Sequence, residues 1–119
     1  MPASPVVLVV DDDPDIRRAV VQALEDDGMT GIEAASGLEA LRILGGDRTI
    51  GLLLTDIMMP GITGTTLANR ASELRPDVKI MFMTAYLAAD LVGSTRPLIE
   101  KPFGTGKLCA TIRGMYTAN

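Results

Sequence analysis

The 119-residue sequence has no histidine, no tryptophan, a single cysteine (Cys109) and only four aromatic side chains, two Tyr and two Phe. Without histidine there is no Ser-His-Asp or Cys-His catalysis, no imidazole metal ligand and no side chain to carry a phosphohistidine. One cysteine excludes an internal disulfide and every CxxC site, which suits a reducing compartment. So few aromatics provide no stacking platform for single-stranded nucleic acid. The net charge of −4 argues against a broad grip on phosphate backbones. No apolar run approaches the length needed to cross a bilayer, and the N-terminus lacks the basic and apolar regions of a signal peptide. The expectation is a cytoplasmic protein with no direct nucleic-acid binding and no membrane insertion. Its chemistry must come from carboxylates, hydroxyls, Lys or Arg, or a bound ion.

What is present reads as one domain over residues 1–119, with 47% hydrophobic and 22% charged residues. Val6 to Val10 is a β-branched run without polar alternation, as in a strand buried on both faces of a parallel sheet. Asp13 then caps a helix with Pro14 at its first position. Ile16, Ala19, Val20, Ala23 and Leu24 form its apolar stripe, and Gly28 closes it. A weak strand is expected over Gly31 to Ala35. Ser36 and Glu39 form a capping box for a second helix carrying Leu38, Leu41 and Leu44, stopped by Gly45-Gly46. Ile50 to Thr55 reads as the third strand, followed by Asp56 and a Met59-Pro60-Gly61 turn. Leu67, Ala71 and Leu74 line a third helix that stops before Pro76. Val78 to Met83 is the fourth strand, ending at Thr84, and Leu98-Ile99 the fifth, ending near Lys101. Leu108, Ile112 and Met115 mark a last helix, which Gly114 weakens by about 1 kcal/mol relative to Ala. Strands alternating with helices indicate a doubly wound α/β sheet with right-handed crossovers.

Four strands end in polar residues: Asp11-Asp12, Asp56, Thr84 and Lys101. Singly, each has a bland explanation: a solvated loop, a strand-end turn, a structural hydroxyl, a Lys-Pro turn. Together they fall where open α/β sheets bind ligands, beyond the carboxyl ends of the strands. Crowded carboxylates keep their charge only beside a compensating cation. Lys101 supplies one positive charge, and an all-oxygen site suits Mg²⁺ while offering no Cys or His for Zn²⁺. A carboxylate beside a hard divalent ion, an ammonium and a hydroxyl has the parts for phosphoryl transfer. Asp56, alone at its strand end, is the best nucleophile. Asp11 and Asp12 read as ion holders, and Thr84 as a donor to a phosphoryl oxygen. Met58, Met59, Met81 and Met83 read as packing residues, and Cys109 as inert on the core face of the last helix.

At these residues the sequence resembles the receiver domain of two-component response regulators over essentially its whole length. The matching pieces are Val7-Leu8-Val9-Val10-Asp11-Asp12-Asp13-Pro14, Leu53-Leu54-Thr55-Asp56-Ile57-Met58-Met59-Pro60-Gly61, Thr84-Ala85 and Lys101-Pro102-Phe103. The resemblance implies a flavodoxin-like doubly wound five-stranded parallel sheet of order 2-1-3-4-5 with helices on both faces. It implies that Asp56 is the phosphoacceptor and that Asp12, Asp56 and the backbone carbonyl of Met58 bind Mg²⁺ directly. Asp11 would act mainly through a metal-bound water. Lys101 would pair with the phosphoryl group, with a cis bond to Pro102, and Thr84 would be the switch hydroxyl. The phosphoryl donor would be a phosphohistidine on a histidine kinase or histidine phosphotransfer protein.

The sequence also departs from that pattern. The family's switch has an aromatic residue three positions before the Lys, and here that position is Leu98. The Phe82-Met83-Thr84-Ala85-Tyr86 string is similar to a receiver subgroup with a Phe-Ala-Thr-Gly-Tyr motif, so Tyr86 is the candidate substitute. Lys101 follows Thr84 by only 17 positions, and the segment contains Gly93, Ser94, Thr95, Arg96 and Pro97, a run that breaks helices at its glycine and proline. The fourth helix is therefore expected to be short or irregular, and to be ordered by phosphorylation or a partner. Bulky Met58 and Tyr86 beside the site lead us to expect a long-lived acyl phosphate.

The leading reading is a phosphorylation-dependent signalling module, a phosphoacceptor rather than an enzyme, whose surface around the fourth helix, fifth strand and last helix changes with modification. A degenerate receiver serving as a phosphorylation-independent interaction module is the alternative. A metal-dependent phosphatase is disfavoured, because such enzymes place a second Asp where Met58 stands. The output acts through an effector protein or an attached domain whose identity the sequence leaves open, as it does a homodimer. The ends fit either a free-standing receiver or a piece of a larger protein, and the 98–103 segment resembles receivers attached to hybrid histidine kinases.

Overall fold

The computed structural model describes residues 5–47, 49–85, 97–101 and 104–117, in backbone alone for 85, 100, 101, 105, 116 and 117. The described elements run β1 (Val6–Val10), α1 (Pro14–Asp26), β2 (Thr30–Ala34), α2 (Gly37–Gly46), β3 (Leu52–Asp56), α3 (Gly64–Leu74), β4 (Lys79–Ala85), β5 (Leu98–Lys101) and α4 (Thr105–Thr117). The five strands form one parallel sheet in the order β2-β1-β3-β4-β5. This is the order expected from the resemblance. The short or irregular fourth helix expected between β4 and β5 lies outside the described residues.

The absence of polar alternation in the strands has its explanation in two cores, one on each face of the sheet. Val7, Val9, Leu52, Leu54, Met81 and Met83 pack with Val20, Val21 and Leu24 of α1 and with Leu108 and Ile112 of α4. The residues between them, Leu8, Val10, Leu53, Ile80 and Phe82, pack on the other face with Ala40 and Leu44 of α2 and Leu67, Ala68 and Ala71 of α3. Because strand side chains alternate in direction, a strand covered on both sides must be apolar throughout.

The helix signals hold at their starts. Asp13 caps α1 by accepting from the amides of Asp15 and Ile16. Ser36 accepts from the Glu39 amide, while Glu39 reaches back to the Ala35 amide. Gly28 sits at φ 84°, a left-handed conformation open to glycine without strain, and its amide closes the end of α1 on Glu25.

The apolar stripes need correction. The buried face of α2 is Gly37, Ala40 and Leu44, and Leu38 is 67% exposed. The cause is Gly37, where a side-chain methyl would collide with Ile62. Small residues bring that face of the helix inward and leave Leu38 in solvent. Ala19 of α1 is exposed and Leu74 of α3 is about half exposed, whereas Leu67 and Ala71 are buried as expected. Met59, Met81 and Met83 are packing residues, but Met58 is not: it is 63% exposed in the loop after β3.

A buried arginine organises the segment between α2 and the amino end of β3. Arg75, at the C-cap of α3, donates to the carbonyls of Leu44, Asp47 and Ile50 and forms a two-pronged ion pair with Asp77. The Asp77 carboxylate holds the guanidinium more firmly charged than usual, and Arg75 is 2% exposed. No helix among the described residues is long and apolar enough to cross a membrane.

Candidate metal and phosphoacceptor site

Parallel register brings the carboxyl ends of β1, β3 and β4 side by side. Val10 is level with Thr55, and Asp56 with Met83, so Asp11 follows β1 at the level of Asp56 and Thr84 stands one residue beyond it. Carboxylate oxygens from Asp11, Asp12 and Asp56 all lie within 4.8 Å of one another. Asp11 and Asp56 are buried, at 1% and 8% exposure, and Asp12 faces solvent.

Two unit charges separated by 4.8 Å repel by roughly 3 kcal/mol at an effective dielectric constant of about 20. Solvent at Asp12 reduces that figure, but two of the three acids are buried. A hard divalent cation relieves this repulsion, and an all-oxygen site of a few carboxylates completed by waters suits Mg²⁺. The residues present therefore fit such an ion.

The scaffold beneath the acids is tightly held. The Asp11 amide donates to the carbonyl of Ala34, and the Asp11 carboxylate accepts from the amide of Asp13 at 2.9 Å. The Asp11 carbonyl accepts from Arg17 at 2.8 Å, and Arg17 is paired in turn with Glu33 on β2. At β3 the Thr55 hydroxyl donates to the Asp56 carbonyl. Gly64 packs on the same stretch of backbone: its amide donates to the Ile57 carbonyl, and a methyl at its Cα would collide with the Asp56 carbonyl oxygen and the Ile57 Cα. Only glycine allows α3 to start so close to the acid.

Thr84 is fully buried, and its hydroxyl has no hydrogen-bond partner among the described residues. An unpaired buried hydroxyl is costly and uncommon, and this one sits at the strand end beside the acid cluster. Lys101 is the last residue of β5, its backbone paired with Ala85. It stands two residues, roughly 7 Å of strand, beyond the Asp56 level, and its side chain lies outside the described residues. So do Tyr86 and the Lys101–Pro102 bond. Leu98 opens β5 opposite Phe82 and packs, partly buried, against the core on the α2–α3 face. A small aliphatic residue fills the position where the family carries an aromatic ring.

Two features went unread in the sequence. Asp56 is the last residue of β3 rather than the first residue after it. The Arg17–Glu33 pair was missed because an arginine on the first helix reads as a solvated charge. An acid inside β2, one residue from its carboxyl end and beside β1 in the sheet, is the signal that points to it.

Comparison with known proteins agrees with this geometry. The family described as "Response regulator receiver domain" matches residues 7–113. The chain is 39% identical over 117 residues to the response regulator receiver protein CpdR of Brucella abortus (strain 2308), covering 94% of this chain and 97% of CpdR. It is 36% identical over 121 residues to the sensor kinase CckA of the same organism, covering 94% of this chain but 12% of the kinase. The structure superposes with a TM-score of 0.83 on the CheY-like response regulator receiver domain protein of Methanospirillum hungatei JF-1, which is 29% identical and covers 95% and 94% of the two chains. The acid cluster, the 2-1-3-4-5 sheet and these similarities lead to one conclusion: the chain belongs to the response regulator receiver domains of two-component signalling.

Proposed function

We propose that Asp56 accepts a phosphoryl group from a phosphohistidine on a histidine kinase or histidine phosphotransfer protein. The convergence of the Asp11, Asp12 and Asp56 carboxylates beside a Thr84 hydroxyl that has no partner among the described residues is the observation that carries this reading. A carboxylate oxygen of Asp56 attacks phosphorus, the P–N bond breaks with its electron pair leaving on the donor imidazole, and an acyl phosphate forms. The Thr84 hydroxyl donates to one phosphoryl oxygen, and the Lys101 ammonium pairs with another. Asp11, Asp12 and Asp56, with the backbone carbonyl of Met58, would hold Mg²⁺. When bound, that ion supplies the positive charge that lets the acids and the phosphoryl oxygens share one pocket.

The domain is a phosphoacceptor that assists its own modification and loss of the group, not a turnover enzyme. Movement of Thr84 toward the phosphoryl group would pull on β4 and, through the β4–β5 ladder, on the surface formed by β5 and α4. With no ring at Leu98, an aromatic rotamer flip at that position plays no part. Similarity to a stretch of a sensor kinase supports either a kinase partner or a kinase host. The lone cysteine, which suits a reducing compartment, supports a cytoplasmic location.

Incubation with Mg²⁺ and acetyl phosphate is expected to add the mass of one phosphoryl group to the wild-type chain. No adduct is expected on Asp56→Asn, or when a chelator removes the ion. A wild-type chain that gains no adduct would overturn the proposal and favour the interaction-module reading. Rapid turnover of many phosphoesters would favour a phosphatase.

A further inference from the structure

We propose that Arg17, braced by Glu33, is a positioning residue for the divalent-cation site. The inference rests on the metal-dependent phosphoacceptor reading and assigns a role to a side chain outside the acid cluster.

Arg17 lies in the first half of α1, yet its side chain is only 14% exposed because it folds back over the loop between β1 and α1. Its Nη1 donates to the Asp11 carbonyl at 2.8 Å, and its Nε donates to Glu33 Oε1 at 2.9 Å. Glu33 stands on β2 directly opposite Val9 of β1. One planar guanidinium thus ties α1, the acid-bearing loop and the neighbouring strand together. The fork geometry of arginine makes both bonds with little loss of freedom.

The carbonyl that Arg17 holds belongs to the peptide plane joining Asp11 to Asp12. Rotation of that plane would alter the backbone angle that sets where the Asp12 side chain points. The amide of Asp11 is already fixed on Ala34 and its carboxylate on the Asp13 amide. The Arg17 bond adds a restraint on the carbonyl itself. Groups that orient ligands in this way are typically worth about 10- to 100-fold in metal affinity.

The sign of the effect distinguishes positioning from charge. Arg17 is a cation near a cation site, so by charge alone its loss would tighten Mg²⁺ binding. By positioning, its loss weakens binding.

The test is isothermal titration of the purified chain with Mg²⁺ at constant ionic strength for wild type, Arg17→Met and Arg17→Lys. Denaturant unfolding of each in the presence of chelator is measured separately. Arg17→Met is expected to weaken Mg²⁺ binding about tenfold. Arg17→Lys keeps the charge but has one donor nitrogen in place of the planar fork, and should recover part of the loss. Tighter binding in Arg17→Met would overturn the inference in favour of a pure charge effect. Unchanged affinity with lowered unfolding stability would overturn it in favour of a merely structural role. If Arg17→Met does not fold, Arg17→Lys decides alone: it lacks the two separate nitrogens that hold Glu33 and the Asp11 carbonyl in fixed geometry, so binding weaker than wild type is required, and wild-type affinity refutes the role. A wild-type chain that does not bind Mg²⁺ would remove the phosphoacceptor reading itself, and the inference with it.

Discussion

Replacement of Thr84 by valine is the perturbation whose outcome follows most directly from the structure. Thr84 is fully buried and its hydroxyl has no partner among the described residues. Burying a hydroxyl without a hydrogen bond costs about 1–3 kcal/mol on the scale of protein mutations. Valine has nearly the same shape, keeps the branched Cβ that suits a strand, and brings no group that needs a partner. Thr84→Val is therefore expected to stabilise the unphosphorylated domain by about 1 kcal/mol or more. For a chain of this size that corresponds to a rise in Tm of roughly 3–6 °C. Functionally the direction reverses. Asp56 and the other acids are untouched, so the variant should still take up a phosphoryl group. It should fail to transmit that event, because the β4 side-chain hydroxyl that donates to the phosphoryl oxygen is gone. Denaturant unfolding in chelator measures the first effect. Amide chemical shifts of β4 and β5 with and without acetyl phosphate and Mg²⁺ measure the second. A variant less stable than wild type by 1 kcal/mol or more would show that the hydroxyl is satisfied in the resting state, which would refute the reasoning.

Other outcomes follow from single contacts. Gly64→Ala places a methyl against the Asp56 carbonyl, so it should cost about 1–3 kcal/mol and slow phosphorylation by acetyl phosphate more than a distant variant of equal stability loss. Arg75→Met strands the carbonyls of Leu44, Asp47 and Ile50 and should cost about 3–5 kcal/mol in denaturant unfolding, with Mg²⁺ affinity of the folded chain unchanged. Burial pushes the Cys109 thiol above its ordinary value of 9.0. The neutral thiol is the form the fold favours, so its contribution to stability is complete below pH 9.0 and declines as pH rises through the folded-state value. Cys109→Ala should flatten that alkaline decline, and iodoacetamide should modify the folded thiol far more slowly than the unfolded one at the same pH.

The sheet was legible because doubly buried strands leave uninterrupted apolar runs, and the acid constellation because each residue ends such a run. Boundaries were less so, for local reasons. Ile50 is buried in the core, yet the ladder begins at Leu52, and the Ile50 carbonyl turns to Arg75 instead. On the fourth strand the run Val78 to Met83 understates β4, which continues to Ala85 because β5 pairs with Thr84 and Ala85. For α2, hydrophobicity favoured Leu38, while the space above Gly37 decided the orientation. Packing of that kind depends on Ile62, 25 positions away, and has no periodic signature. Arg75 and Arg17 were invisible for a related reason: an arginine on an amphipathic helix reads as surface until carbonyls from distant segments converge on it.

Reductive trapping is the most direct test of the phosphoacceptor assignment. Borohydride converts an aspartyl phosphate to homoserine, and fragmentation of the digested chain locates the change. After treatment with acetyl phosphate and Mg²⁺, conversion is predicted at residue 56 alone and absent when the ion is chelated. Conversion at Asp11, Asp12 or Asp13 with Asp56 intact, or no conversion anywhere, would contradict the account.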